Sequence, residues 1–391
     1  MTKDIFLLGS TGSIGDTTLN ILKKDKKNFK VKLLTTHSNI NKIYKQALEF
    51  KVNKIVIFNK NKILKNYKKF EKKKIKVYSS INDVFKTYKK KSFLTINAIS
   101  GIDGLEPSLD IIKYSNNLAV ANKESIICGW NFLHKELLKN KTGFIPIDSE
   151  HFSIWSLLNH EKKKNIKKIY LTASGGPFLN LNLKKIENIN PKYALKHPNW
   201  KMGKKISIDS ATMMNKIFEV IEAIKIFNLH KNKFEIIIHP KSYIHAIVHY
   251  KNGLVEFLAH KTSMEIPIMN SLYMNKRIFN YDKKNINLEV LNGLNFIKPD
   301  IKKFPVLKFL SMIVNKPSYF ETILITINDF LVERYLRGDI SYLTLNTNLT
   351  KMIKKPYFIK FYKLEPKNLI DIKTMVEKTI IYLNKIKFNE K

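Results

Sequence analysis

The sequence predicts an α/β protein: an N-terminal doubly wound, Rossmann-like domain, a central α/β catalytic domain and a C-terminal helical domain. Three observations carry that reading. Short apolar runs alternate with helical segments from Ile5 to Ile147, the pattern of βαβ units in a parallel sheet. A spaced-glycine turn, Gly9-Ser-Thr-Gly12-Ser-Ile-Gly15, comes after the first run and opens a helix. From Pro305 onward the pattern is helical only. These shifts place the domains at residues 1–147, 148–275 and 301–391, with a linker at 276–300.

In order, Ile5–Leu8 reads as a buried strand, the glycine turn comes next, and Thr17–Lys24 reads as a helix. Strand, glycine turn, helix is the context that a dinucleotide fingerprint requires, because glycine lets a pyrophosphate approach the helix N–H groups. By itself the spacing is a weak signal, since a plain tight turn uses it too. The next strand, Val31–Thr35, ends in Thr36-His37-Ser38-Asn39 with no acid to bind a ribose 2′-hydroxyl, which favours NADP over NAD. Lys54–Phe58, Ile75–Tyr78 and Leu94–Ile99 continue the sheet. Leu118–Ala121 runs into Asn122-Lys123-Glu124-Ser125, and Phe144–Ile147 into Asp148-Ser149-Glu150-His151. Polar residues just past such carboxyl ends sit where ligands bind in these folds.

In the central region, Ile169–Thr172 is a strand ending in Ala173-Ser174-Gly175-Gly176-Pro177. Ser174 before two glycines suits an anion-binding nest, although a simple Gly-Pro turn is the commoner meaning. His197-Pro198-Asn199-Trp200-Lys201-Met202-Gly203 reads as a lid that shuts out water. Ile208–Ala223 reads as one apolar helix, N-capped by Asp209 or Ser210, carrying Asn215, Lys216 and Glu219 near one face. A buried helix with an internal ion pair explains it equally well in isolation. The acidic pair Asp148 and Glu150 changes the weighing: with Glu219 they make an oxygen donor set for a hard divalent cation. Phe234–Ile238, Ile244–Tyr250 and Phe257–Leu258 are strands, with His239-Pro240-Lys241-Ser242 between the first two. Helices complete the chain over Val306–Val314, Phe320–Leu336 and Asn368–Ile386.

Composition excludes several classes. At 44% hydrophobic residues the chain is neither disordered nor fibrous, and no apolar run is long enough to span a membrane. With one cysteine, Cys128, no internal disulfide forms, and a reduced, cytoplasmic protein is expected. The formal charge of +38 invites a nucleic-acid reading, yet of the 70 basic residues only Arg277, Arg334 and Arg337 are arginines. Readers of base edges rely on the guanidinium fork, and these lysines are scattered over the whole chain. No specific nucleic-acid partner and no membrane partner are expected.

GSTGSIG, ANKES, PIDSEH, SGGPF, HPNWKMG and DSATMMNK, in that order from Gly9 to Glu219, together resemble the 1-deoxy-D-xylulose 5-phosphate reductoisomerase family, and His239–His245 extends the match. The resemblance implies NADPH- and metal-dependent rearrangement and reduction of 1-deoxy-D-xylulose 5-phosphate to 2-C-methyl-D-erythritol 4-phosphate, in non-mevalonate isoprenoid biosynthesis. It implies that Asp148, Glu150 and Glu219 bind Mg²⁺ or Mn²⁺ and are catalytic together with Lys123. Lys123, Ser149, Glu150, Ser174, His197, Ser210, Asn215, Lys216 and Glu219 would contact the sugar phosphate. Thr11, Gly12, Ser13, Ile14, His37, Ser38, Asn39, Asn122, Glu124 and Gly203 would hold NADPH, with Trp200 and Met202 in the lid. It also implies a homodimer. The chain departs from the family at Ile217 and His37, where glycine is usual, and at Ser263 and Glu265, where Asp and Arg are usual.

Two other classes compete with this one. A semialdehyde-dehydrogenase-like NADP enzyme needs a thiolate paired with a base, and Cys128 sits in an apolar run without one. A polyanion-binding protein would use the lysines and turn over no cofactor.

Overall fold

The computed structural model describes residues 2–158, 163–187, 189–200, 202–274, 276 and 288–388. Two compact units emerge: residues 1–152 with 264–279, and residues 153–263 with 280–391.

The first unit holds a seven-stranded, wholly parallel sheet of β1 (Lys3–Leu8), β2 (Phe29–Thr36), β3 (Lys54–Ile57), β4 (Lys76–Tyr78), β5 (Leu94–Asn97), β6 (Asn117–Val120) and β7 (Gly143–Pro146). The spatial order is β4-β3-β2-β1-β5-β6-β7, so the winding reverses between β1 and β5. Ligands bind at such a switch point because the connections on its two sides leave in opposite directions and open a crevice. Nearly every residue of β1, β5 and β6 is buried, as a sheet covered on both faces demands. Helix α1 (Ser13–Lys24) comes after β1 and α2 (Ile40–Glu49) after β2. Between β1 and α1 the chain turns at Gly9, φ +71°, where a Cβ would lie 2.8 Å from the backbone of Ala98. No other residue fits there. Helix α3 (Lys123–Asn140) comes after β6 and buries Cys128, while α4 (Ser149–Leu157) comes after β7.

The second unit is built on a four-stranded sheet, order β11-β10-β8-β9, of β8 (Ile166–Ala173), β9 (Phe234–Ile238), β10 (Ile244–Tyr250) and β11 (Val255–Ala259). β8 and β9 are parallel; β10 runs antiparallel to both β8 and β11. The segment Ile208–Ala223, expected as one helix, is two: α5 (Lys204–Thr212) and α6 (Met214–Phe227). Met213 between them takes a left-handed conformation, φ +67°. The expected caps are therefore wrong: Asp209 and Ser210 lie inside α5, whose N-cap is Gly203. The break is enforced locally by Thr212, whose hydroxyl donates to the Ile208 carbonyl at 3.1 Å and accepts the Met214 N–H at 3.3 Å.

Tertiary contacts hold it. Helices α7 (Tyr319–Arg337), α8 (Tyr342–Met352) and α9 (Leu369–Asn384) share this unit with the sheet. Asn328 of α7 donates to the buried Asp209 carboxylate at 2.7 Å, and the Tyr342 hydroxyl donates to the Ala211 carbonyl at 2.8 Å. The stretch read as a linker is anchored where it is described, since Ile297 and Ile238 exchange both backbone hydrogen bonds at 2.8 Å. Residues 277–287 of it lie outside the described residues. Val306–Val314, expected as a helix, begins as a 3₁₀ segment, Pro305–Ser311. Among the described residues no helix is long and apolar enough to cross a membrane.

Tyr342→Phe leaves the buried Ala211 carbonyl unsatisfied at the helix break. It should lower unfolding free energy by about 1–2 kcal/mol, read from the shift in urea midpoint.

Candidate active site

In the first unit, β6 and β7 pair in parallel, with Val120 opposite Pro146, so the segments that leave the two strands emerge on the same edge. Lys123 and Asp148 meet there, Nζ to Oδ2 at 3.0 Å. The other carboxylate oxygen lies 3.1 Å from Nδ1 of His151, one turn along α4. Burial pushes the Asp148 carboxyl up, but the Lys123 ammonium and the His151 ring more than offset it and hold it well below the usual carboxylate range. The Glu150 N–H donates to Asp148 Oδ1 at 3.3 Å, and the Ser149 hydroxyl donates to Glu150 Oε2 at 2.7 Å. Lys123, Asp148, Ser149 and Glu150, singled out from separate motifs, thus form one cluster. His151 belongs to one of those motifs but draws no role from the sequence; its i,i+3 spacing from Asp148 is the signal that points to this contact.

In the second unit the remaining polar candidates gather around His197. Its Nδ1 accepts the backbone N–H groups of Asn199 at 3.2 Å and Trp200 at 3.0 Å. The neutral ring therefore carries its proton on Nε2, which lies 3.0 Å from the Ser174 hydroxyl and 3.1 Å from the Ser210 hydroxyl. Burial, and secondly the Lys216 charge, lower the His197 pKa to about 4, so the ring is neutral at ordinary pH. Ser174 comes from the turn after β8 and Ser210 from α5; Gly176 lets these segments touch. Its φ is +69°, and a Cβ there would sit 2.9 Å from the Ser210 carbonyl oxygen. Two hydroxyls, an imidazole N–H and a nearby ammonium suit a phosphate.

Asn215, Lys216 and Glu219 occupy the first turns of α6, just past the break. Lys216 forms an ion pair with Glu219, both nearly excluded from water, and the half-buried Asn215 amide donates to the same carboxylate. The three side chains, expected near one face, do meet there: Lys216 and Asn215 both hold the Glu219 carboxylate, the internal ion pair that the sequence allowed. Ile217, where the family usually has glycine, is fully buried in α6 and forms part of the core.

The lid segment is tied down by Asn199, whose amide donates to the Pro240 carbonyl at 2.6 Å and the Ser242 hydroxyl at 2.9 Å. These partners give the His239–Ser242 motif a role that its residues alone do not suggest. Lys201 lies outside the described residues, and Gly203 ends the segment as the N-cap of α5.

The nucleotide candidates of the first unit line the switch point. Gly12 caps α1 without a side-chain cap, and Ser13 and Ile14 open that helix. The Thr11 and Thr36 hydroxyls meet at 2.8 Å, and Lys42 Nζ donates to the Thr11 carbonyl at 3.0 Å, so the glycine loop is coupled to the turn after β2. In that turn His37 and Ser38 are exposed and Asn39 caps α2. Asn122 caps the start of α3, with the buried Glu124 two residues on. Gly203 belongs to the other unit.

The His197 shift has a stability consequence. The unfolded ring binds its proton near pH 6.5 and the folded one only near 4, so stability falls as pH drops through that window. Urea midpoints measured across it should fall less steeply for His197→Gln than for the parent.

Family models match three stretches: residues 5–129 the 1-deoxy-D-xylulose 5-phosphate reductoisomerase model, 144–227 its C-terminal domain, and 260–379 a further DXP reductoisomerase C-terminal domain. A curated 1-deoxy-D-xylulose 5-phosphate reductoisomerase of Pelagibacter ubique is 52% identical over 380 residues, covering 95% of this chain and 96% of the relative. That of a Sulfurihydrogenibium species is 37% identical, covering 96% and 95%. Among solved structures, the Zymomonas mobilis enzyme in complex with NADPH has a TM-score of 0.86 at 27% identity, covering 97% of this chain and 98% of that one. A DOX-P reductoisomerase in complex with NADPH, fosmidomycin and magnesium has a TM-score of 0.87 at 30% identity, covering 98% and 100%. The chain belongs to the 1-deoxy-D-xylulose 5-phosphate reductoisomerase family.

Proposed function

We propose that this chain converts 1-deoxy-D-xylulose 5-phosphate to 2-C-methyl-D-erythritol 4-phosphate, using NADPH and a divalent cation, Mg²⁺ or Mn²⁺, in non-mevalonate isoprenoid biosynthesis. The observation that carries the reading is the neutral His197 between Ser174 and Ser210, within the field of Lys216. It is a phosphate cradle in a chain that matches a member of that family over 95% of its length.

The residues present fit both absent groups. Asp148, Glu150 and Glu219 offer carboxylate oxygens only, the donors that hard divalent cations take. Asn122 Oδ1 is buried and has no hydrogen-bond partner among the described residues, so it suits a hydroxyl or amide of the cofactor. When bound, the cation polarises the substrate's carbonyl and neighbouring hydroxyl, and the nicotinamide supplies a hydride.

The chain's own residues do the rest. Asp148, Glu150 and Glu219 hold the cation, and Lys123 and Ser149 contact the hydroxyl-bearing part of the substrate. Ser174, Ser210, Asn215, Lys216 and the His197 N–H hold the phosphate, whose binding energy orients the reacting end. A neutral His197 donates a hydrogen bond there without adding charge. Trp200 and Met202 exclude water above the substrate. Thr11, Gly12, Ser13, Ile14, His37, Ser38, Asn39, Asn122, Glu124 and Gly203 hold NADPH.

The same reading includes a homodimer in the cytoplasm. β11 is an edge strand, and Val255 and Phe257 on it, with Leu254 just before it, are each about half exposed. An apolar edge of that kind is a template for a second copy. The sole cysteine, buried in α3, accords with a reducing compartment.

NADPH oxidation by the purified protein should require 1-deoxy-D-xylulose 5-phosphate, stop with chelator and return with Mg²⁺ or Mn²⁺. No substrate-dependent oxidation with either metal would reject the function. Glu150→Gln and Glu219→Gln should each lower kcat by about a thousandfold with NADPH affinity retained. Phe257→Asp should shift the protein to monomer in analytical ultracentrifugation; a dimer unchanged in mass would remove β11 from the interface.

A further inference from the structure

Three rings of the second unit form a contiguous row, of which the reaction above uses only Trp200. The Trp200 indole meets the His245 ring nearly edge to face, centroids 5.9 Å apart and planes at 71°. His245 in turn stacks on His260, 3.9 Å between centroids at 19°. Both histidines are buried. His245 falls where the β10–β11 register shifts between Ile244 and Ala246, and such a bulge re-aims the side chain it carries. His260 comes directly after β11.

Backbone carbonyls orient both rings. A carbonyl only accepts, so His260 Nδ1–H donates to the Lys261 carbonyl at 2.7 Å and His245 Nε2–H to the His260 carbonyl at 3.3 Å. Each bond selects a tautomer and stops its ring from flipping. Burial, and secondly His245, lower the His260 pKa to about 3, which keeps that ring neutral. A neutral ring stacks on its neighbour without like-charge repulsion.

We propose that His260 is a positioning residue for the lid: stacked on His245 at the bulge, it fixes the surface against which Trp200 rests and so sets how the lid closes over the sugar phosphate. The inference rests on the reading of residues 197–203 as a lid. Removing the flat face of His260 lets the His245 ring tilt, and Trp200 loses its defined seat. Lid closure then acts on substrate affinity, while the nucleotide loops of the other unit are untouched.

The test is steady-state kinetics with NADPH and 1-deoxy-D-xylulose 5-phosphate on Trp200→Ala, His260→Ala and His260→Phe, together with Trp200 emission in a Trp130→Phe, Trp155→Phe background. His260→Ala should raise the sugar-phosphate KM about fivefold, the scale of one lost ring contact, with NADPH KM unchanged and Trp200 emission red-shifted. His260→Phe restores a flat face and should return KM to near the parent value. Should His260→Ala fail to fold, His260→Gln against His260→Phe makes the same comparison. If Trp200→Ala raises KM while His260→Ala changes neither KM nor emission, the positioning role is overturned and the lid stands. If Trp200→Ala leaves KM unchanged, the lid reading falls and takes this inference with it. Equal impairment by His260→Phe and His260→Ala would make the site ordinary core packing.

Discussion

The second unit depends on the break at Met213. A non-glycine residue in the left-handed region costs about 1–2 kcal/mol, which Thr212 alone does not offset. The remainder comes from burial of Met213 and from Asn328 and Tyr342, which hold the last turn of α5. Because the chain turns there, Ser210 faces His197 from one helix, while Asn215, Lys216 and Glu219 start another. An unbroken helix would carry all four on one rod. The helices of the C-terminal third therefore shape the setting of His197 and Ser210, to which they contribute no candidate ligand.

Charge on the candidate carboxylates is neutralised locally in each unit. Asp148 lies between Lys123 and His151, and Glu219 is held by Lys216 and Asn215. Buried carboxylates left without partners would cost several kcal/mol or take up protons. Lys123 and His151 keep the Asp148 carboxyl ionised. The pairing of Glu219 also restrains the Lys216 and Asn215 side chains at the start of α6.

The lid shows the same economy of groups. His197 faces the anion cradle with one nitrogen and orders Asn199 and Trp200 with the other. Asn199 then joins the segment to the β9–β10 turn, and Trp200 rests on the histidine stack. A single ring thus links the Ser174 and Ser210 hydroxyls to the backbone of Asn199 and Trp200.

Most of the parallel sheet was legible because its strands are buried on both faces, leaving continuous apolar runs punctuated by glycine and polar turns. The separate motifs were legible because cation, phosphate and dinucleotide each demand particular donors at close spacing. What escaped depends on contacts distant in sequence. Met213 carries no helix-breaking signature, and the break beside it, made locally by Thr212, is held by Asn328 and Tyr342, more than a hundred residues away. The seating of His197 between Ser174 and Ser210 and the stacking of His245 on His260 have the same origin. Local composition determined which elements form and which chemistries are available; tertiary packing alone decided their directions, because a side chain's partners and protonation are set by what the fold brings beside it.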